Sequence, residues 1–306
     1  MELRHLRYFV GLAEALHFRK AAEILCVTQS TISHQIRQLE DELGTTLFHR
    51  TGRHVQLAPA GSLFLTYARR ILREVDAAEI AVHDLDALKR GSLRIGVIHT
   101  LMRPVVMPAL TSFIQRYPGV KVTILEATTT KIEGGLIDGS LDFGIAVAPA
   151  KSTELVLEPL FDEDFVVVVN KRHELASNRH RQLSDIVKYP LVMLDQSFAT
   201  RRVIDFYFES GKYSPTISIE SNTVETVLEV VSSCSLATVI PSSALLGQTE
   251  LISIKLDRSL LKRSCSIFWP RTNQRSVAAL TLAAELAKHS KIFTANERLD
   301  QAYLGL

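Results

Sequence analysis

The 306 residues are 46% hydrophobic and 22% charged with a formal net charge of +2, a composition that excludes a disordered chain and leaves room for two or three folded domains. The charge is unevenly placed. Residues 1–73 hold ten Lys/Arg against six Asp/Glu, a surplus of +4 that leaves −2 for the remainder, so any polyanionic partner is expected at the N-terminal end.

The opening MELRHLRYFV carries three charges in seven residues and no apolar stretch before a small-residue cleavage site, so no secretory signal is expected. No run approaches the roughly 20 apolar residues that span a bilayer. A cytoplasmic protein with no membrane partner is the expectation. Leu3, Leu6, Phe9, Val10 and Ala13 recur at helical spacing, and Phe18, Ala21, Ala22 and Leu25 repeat it after a break at His17. A third helix is predicted from an N-cap at Thr28 to a stop at Gly44, docked through Ile32, Ile36, Leu39 and Leu43.

The other face of that helix carries Gln29, Ser30, Ser33, His34 and Arg37. A helix that merely faces water favours Lys and Glu, whereas amides and hydroxyls are weaker helix formers. Those groups can read base edges in the major groove, which admits a helix. The connection Cys26-Val27 is as short as a helix-turn-helix requires. Spacing alone also leaves a small helical interaction module open. Downstream, LFHRTGRHVQLAPAG sets Arg50, Arg53 and His54 around Gly52, followed by alternating Val55 and Leu57, which predicts a small hairpin or wing. Its guanidinium groups suit phosphate or minor-groove contact, with a solvated basic loop as the alternative.

The stretch LRYFVGLAEALHFRKAAEILCVTQSTISHQIRQLEDELGTTLFHRTGRHVQLAPAG resembles the N-terminal winged helix of LysR-type transcriptional regulators. Position by position, the resemblance implies base reading by Gln29, Ser33 and His34. It implies phosphate or groove contacts by Ser30, Thr31, Arg50 and Arg53, with Arg37 on the same face.

Pro59 suits the first turn of a helix, and Phe64, Ala68, Ile71, Val75, Ala78, Val82 and Leu85 then step by four and three. A helix from Pro59 to Lys89 would extend about 45 Å at ~1.5 Å per residue, with a seam fit for coiled-coil pairing. The alternative is a long helix packed on its own domain. The resemblance implies pairing through this helix into homodimers and homotetramers.

From Gly91 the period changes. SLRIGVI, VKVTILEA and DFGIAVA are short β-rich runs separated by helices expected near Pro104 and Lys131, which indicates βαβ units. After FDEDFVVVVN a second series places strands near Leu191 to Leu194, Thr216 to Ile219 and Ala237 to Ile240. CSIFW and the helix from Ser276 are expected to return to the first series. Residues 91–306 resemble the effector domain of the LysR family, two α/β lobes with a ligand cleft similar to periplasmic binding proteins. RGSLRIGV, LDFGIAVAP and SFATRRVIDFYFESGKYSPTISIESNTVETVLEVV are similar to the cyanate-operon branch of that family.

Three helix starts here share a chemistry. Thr100 precedes the helix expected from Pro104, Thr130 stands three residues before Glu133 as a capping box, and Thr200 precedes Arg201. Helix N-termini offer free N–H groups and partial positive charge, so several facing one cleft would hold a small anion, with plain helix capping as the alternative. The resemblance implies that these loops face the cleft, so His99, Thr100, Thr129, Thr130, Phe198, Thr200 and Arg201 are the candidate effector residues.

Enzyme signatures do not occur: there is no G-x-S-x-G, no G-x-x-x-x-G-K-[ST], no H-E-x-x-H and no G-x-G-x-x-G. GGLIDG at 134–139 reads as a glycine-containing helix end. His173, Glu174 and His180 are expected on a solvated polar loop. Cys26, Cys234 and Cys265 lack metal spacing and are expected as buried free thiols. No catalytic residue, metal site or cofactor is expected.

The expected architecture is α/β with an N-terminal all-α winged helix-turn-helix and a two-lobed effector domain similar to periplasmic binding proteins. Its limits are 1–58 for the winged helix, 59–90 for the linker helix and 91–306 for the effector domain, lobe I being 91–162 with 268–306 and lobe II 163–267. The expected function is a regulator that binds a double-stranded DNA operator and senses a small anion such as cyanate or a short carboxylate. A small-molecule binding protein or enzyme with an incidental helical module is the alternative.

Overall fold

The computed structural model describes the chain apart from residues 52–53, 84–90, 178–179, 257–260, 272–274 and 304–306 and the side chains of 50, 51, 54, 73, 76–77, 79–83, 180 and 295–303. It divides into two units, residues 1–87 with 137–140, and residues 88–136 with 141–306.

In the first unit, α1 (Leu3–Ala15), α2 (Phe18–Ile24) and α3 (Gln29–Leu43) turn their apolar stripes onto one core. Ile32, Ile36 and Leu39 of α3 are fully buried there with Phe9 and Leu12. Leu3 and Leu43, expected in those stripes, sit at the outer ends of their helices and are exposed. The turn into α3 uses Cys26 at φ 53, a left-handed position filled without glycine. Thr28 caps α3 by accepting the Thr31 N–H at 3.1 Å, and Gly44 ends it at φ 65.

Strands β1 (Phe48–Thr51) and β2 (His54–Leu57) pair antiparallel, Arg50 opposite Val55, and form the wing. Then α4 (Pro59–His83) runs about 37 Å at ~1.5 Å per residue. A Cβ at Gly61 would lie 2.1 Å from the Leu47 carbonyl oxygen, so only glycine lets the helix pass the wing this closely. The expected seam divides. Phe64 and Ala68 pack into the core of their own unit, where α1 lies across them, and the Phe9 and Phe64 rings meet at 5.0 Å. Left outward are Leu63 (65% exposed), Tyr67 (52%) and Ile71 (38%), one turn apart, with Ala78 further along. Leu85 and the expected end at Lys89 lie outside the described residues, as does the Val82 side chain.

The second unit contains an eight-stranded sheet system. Lobe I has β3 (Gly91–Val97) parallel to both β4 (Val120–Glu126) and β5 (Phe143–Val147). Between β3 and β4 the helix expected near Pro104 begins five residues earlier. It runs as α5 (His99–Leu101), a π turn at Met102–Val106 and α6 (Met107–Arg116). Proline cannot continue regular i→i−4 bonding, and the wider turn accommodates it. Helix α7 (Thr129–Ile137) begins two residues before Lys131, and the chain leaves it through Gly139 at φ 74, as expected for GGLIDG.

The 16-residue β6 (Leu155–Asn170) crosses into lobe II. It alternates Phe165, Val167 and Val169 into one buried cluster and Val166 and Val168 into another, which is why VVVV reads as a continuous apolar run. Around it lie β7 (His180–Arg181), α8 (Leu183–Ile186), β8 (Leu191–Leu194), α9 (Ala199–Ser210), β9 (Ile217–Ser221), α10 (Val224–Ser233), β10 (Thr238–Pro241) and β11 (Leu251–Leu256). β10 and β11 pair antiparallel with β6, β7 joins β11, and β8 pairs with β9. β12 (Lys262–Pro270) returns alongside the whole first part of β6, and α11 (Val277–Tyr303) packs on α6 in lobe I. β12 already pairs with β5 from Cys265, inside the stretch assigned to lobe II from sequence.

Two expectations are corrected, the exposure of His173 and the burial of all three cysteines. His173 is buried, its Nδ1 accepting the Leu175 N–H at 3.1 Å and its ring 5.0 Å from that of Tyr189. Glu174 is exposed, as expected, and its Oε2 accepts from the Tyr189 hydroxyl at 3.0 Å. Of the cysteines only Cys265 is buried, because Cys26 and Cys234 fall in turns at helix ends. No helix among the described residues is long and apolar enough to cross a membrane.

Candidate functional site

On α3, the buried Ile32, Ile36 and Leu39 fix which side chains face outward. Gln29, Ser30, His34 and Arg37 are exposed and Thr31 and Ser33 half-exposed. The Thr28 hydroxyl lies 2.8 Å from those of both Ser30 and Thr31, so the first turn is tied together. Arg50 stands on β1, its side chain outside the description, and Arg53 lies outside the described residues. α3 and the wing are locked by one carboxylate. Glu40 Oε1 accepts the N–H of Leu47 at 2.8 Å and of Phe48 at 3.1 Å. The result is a rigid helix that presents amide, hydroxyl, imidazole and guanidinium groups outward, the inventory that reads base edges and grips phosphate.

In the second unit a small, partly open cleft is lined by His99, Thr100, Thr129, Phe198, Thr200 and Arg263, among others. Five of the seven sequence-predicted effector residues are therefore brought together from both lobes. Thr129 is nine-tenths buried, and its hydroxyl has no hydrogen-bond partner among the described residues. It stands in the first turn of α7, where Lys131 and Ile132 donate to the Thr128 carbonyl and the N–H groups before them carry no helical bond. Thr200 stands in the first turn of α9, whose N-cap is Phe198. Phe198 packs on the lobe II core and supplies an apolar wall.

Two predicted residues are elsewhere, and a third is engaged. Thr130 is exposed on α7 rather than capping it, because the helix begins at Thr129, and Glu133 turns away to accept the Lys151 N–H at 3.2 Å. Arg201 is buried beneath lobe II, bound to Asp205 at 2.7 Å, Glu220 at 2.5 Å and the Leu194 carbonyl at 2.8 Å, where it braces α9 against β8 and β9. His99 lines the cleft, but both ring nitrogens already touch carboxylates, Nδ1 that of Glu126 on β4 and Nε2 that of Glu225 on α10.

Sequence reasoning missed the buried pair at the centre. Glu163 on β6 and Arg263 on β12 are directly opposed, and each is almost wholly buried. Arg263 Nε donates to Glu163 Oε1 at 2.5 Å, Nη1 to Thr200 Oγ1 at 2.9 Å and Nη2 to Thr100 Oγ1 at 2.6 Å. Glu163 Oε2 accepts the Ser243 N–H at 3.2 Å. Burial, with Glu163 beside it, pushes the Cys265 thiol well above its usual range, so it stays protonated and unreactive. No set of three His, Cys, Asp or Glu among the described residues is arranged to hold a metal ion.

Comparisons with known proteins give the family of both units. A family profile described as LysR substrate binding domain matches residues 86–291, and one described as bacterial regulatory helix-turn-helix protein, lysR family, matches residues 3–62. The HTH-type transcriptional regulator AlsR of Bacillus subtilis is 31% identical over 276 residues, 89% of this chain and 91% of that protein. The DNA-binding transcriptional dual regulator OxyR of Escherichia coli is 34% identical over 246 residues, 80% of each. Among solved structures, a full-length OxyR variant from Pseudomonas aeruginosa superposes with a TM-score of 0.76 at 24% identity, covering 95% of both chains. CbnR complexed with its target DNA gives a TM-score of 0.67 at 22% identity, covering 96% of this chain and 100% of that one. At these identities the two structures establish the fold alone.

Proposed function

Because the chain belongs to the LysR family of DNA-binding transcriptional regulators, whose members are not enzymes, we propose that its cleft senses a small anion and that α3 and the wing carry the operator contacts. Residues 1–58 are the DNA-binding domain, 59–90 the pairing helix and 91–306 the effector domain. Gln29, Ser33 and His34 read bases; Ser30, Thr31, Arg37, Arg50 and Arg53 hold phosphate or groove. The exposed row Leu63, Tyr67 and Ile71 supports homodimers, which pair again into tetramers.

The observation that carries the effector reading is the Thr129 hydroxyl, buried, unpartnered among the described residues and on a side chain lining the cleft beside Thr100 and Thr200. A buried hydroxyl without a partner is costly, and a ligand acceptor relieves that cost. The first-turn N–H groups of α7 and α9 add donors and partial positive charge, so a compact acceptor suits the cleft better than a large apolar group. Cyanate is the first candidate, from the resemblance of the cleft segments to the cyanate-operon branch, and a short carboxylate the second. The ligand acts by favouring one of two subunit arrangements, through its differential affinity for them.

Two measurements test this. Gel shifts with competitor DNA should reveal a discrete site. Calorimetry of the full chain with cyanate and acetate should give binding that Thr129→Val weakens by about 1–2 kcal/mol while operator binding without ligand stays intact. A chain that ignores both anions and accepts a bulky neutral aromatic would overturn the effector reading.

A further inference from the structure

The cleft threonines differ in what their hydroxyls already do. Arg263 donates to Thr100 Oγ1 at 2.6 Å and to Thr200 Oγ1 at 2.9 Å, and a guanidinium has five N–H groups and no acceptor. Both hydroxyls therefore accept at that contact. Each keeps one lone pair and one proton, and neither proton meets an acceptor among the described residues. The guanidinium itself cannot turn to the ligand. Glu163 holds Nε and Nη2, is in turn held by the Ser243 N–H, and balances the charge.

We propose that Arg263 is the positioning residue that sets the hydrogen-bond polarity of the cleft. It occupies one lone pair of the Thr100 hydroxyl of lobe I and one of the Thr200 hydroxyl of lobe II, and so directs each hydroxyl proton away from itself as a donor in need of an acceptor. With Thr129 they form a set of donors that selects a ligand whose polar group only accepts, a carboxylate or a comparable small anion, over the amide of the same size. An amide has one acceptor oxygen where a carboxylate has two, so its NH2 group leaves one of the hydroxyl protons without an acceptor. Because one guanidinium holds a hydroxyl from each lobe, a ligand that takes both protons reads the two lobes together. This rests on the anion reading above and adds the residue that enforces it.

The test uses the full chain and the isosteric probes acetate and acetamide, with dissociation constants from calorimetry. Wild type is expected to prefer acetate by about tenfold or more, the order of one charge-assisted hydrogen bond. In Glu163→Gln/Arg263→Gln the neutral side chain at 263 can accept as well as donate, so the hydroxyls are free to reverse and the preference should fall to about threefold or less. Arg263→Lys, again a donor-only cation opposite Glu163, should keep most of it. A folded double variant that retains the wild-type preference overturns the role of Arg263 alone. Wild type that binds neither probe, or both alike, removes the anion reading and this inference with it. Should the double variant fail to fold, Thr100→Val/Thr200→Val with the ion pair intact decides the matter, because an undiminished preference there shows that the hydroxyls are not the donors.

Discussion

Glu40 on α3 and Phe48 at the start of the wing are joined by a hydrogen bond of 3.1 Å, and the same carboxylate oxygen takes the Leu47 N–H at 2.8 Å. Helix α3 and the wing therefore share one polar anchor, made across seven and eight positions of the chain. Glu40→Ala leaves two backbone donors without it and is expected to cost about 1–3 kcal/mol locally. Amide hydrogen exchange at Leu47 and Phe48 should accelerate by about tenfold or more, while the amides of Ile32 and Ile36 change little. Equal protection in both proteins would show the anchor to be idle.

On α3 the expectation concerns specificity. Gln29→Ala and Ser33→Ala should each weaken cognate-site binding by roughly 1–3 kcal/mol and leave random DNA almost unaffected, because base-edge contacts carry sequence information. Arg50→Ala should weaken both and reduce the salt slope by about one unit for a lost phosphate contact. Loss of the same size on cognate and random DNA for Gln29→Ala would contradict base reading.

Much of this was legible in the sequence where one period dominates. The step of Ile32, Ile36 and Leu39 fixed the outward face of α3, and the strands near 191, 217 and 238 followed from short β-rich runs. What escaped depends on distant partners. Phe64 and Ala68 satisfy the heptad spacing, yet α1 claims them, and only packing decides that. Pro104 looked like a helix start because a π turn inside a helix leaves no sequence mark. Glu163 and Arg263 lie 100 positions apart; the available sign was a charge on the inward phase of each of two apolar strands, in step with Phe165 and with Cys265.

The division of the α4 seam sharpens the dimer test. Ile71 is outward and partly exposed, one turn from Tyr67, whereas Ala68 is sealed inside its own unit. Ile71→Asp should therefore break pairing without unfolding the winged helix, since the carboxylate is buried only when a partner covers it. Light scattering should show a shift to smaller species at dilution with the thermal unfolding of the N-terminal unit preserved. Unchanged oligomers would move the pairing surface away from this row.

His173 gives the chain a pH dependence with a defined sign. Burial holds its pKa below the ordinary value of 6.5, against the opposing charge of Glu174, and the neutral ring is the form whose Nδ1 can accept the Leu175 N–H. In the unfolded chain the ring takes its proton near the ordinary histidine value, so below about pH 6.5 the unfolded state binds more protons than the folded one. The contribution of this residue is thus fully present above about pH 6.5 and is lost as the pH falls from there toward the lowered folded value. His173→Asn keeps an acceptor near Leu175 and cannot titrate. Melting temperatures of the two proteins should run parallel above neutrality and diverge on acidification, wild type falling more steeply between about pH 6.5 and pH 5. Because all other titrating groups are common to both proteins, the difference isolates this ring, and curves that stay parallel through the acidic range would show that the ring is protonated in the folded chain as readily as in the unfolded one.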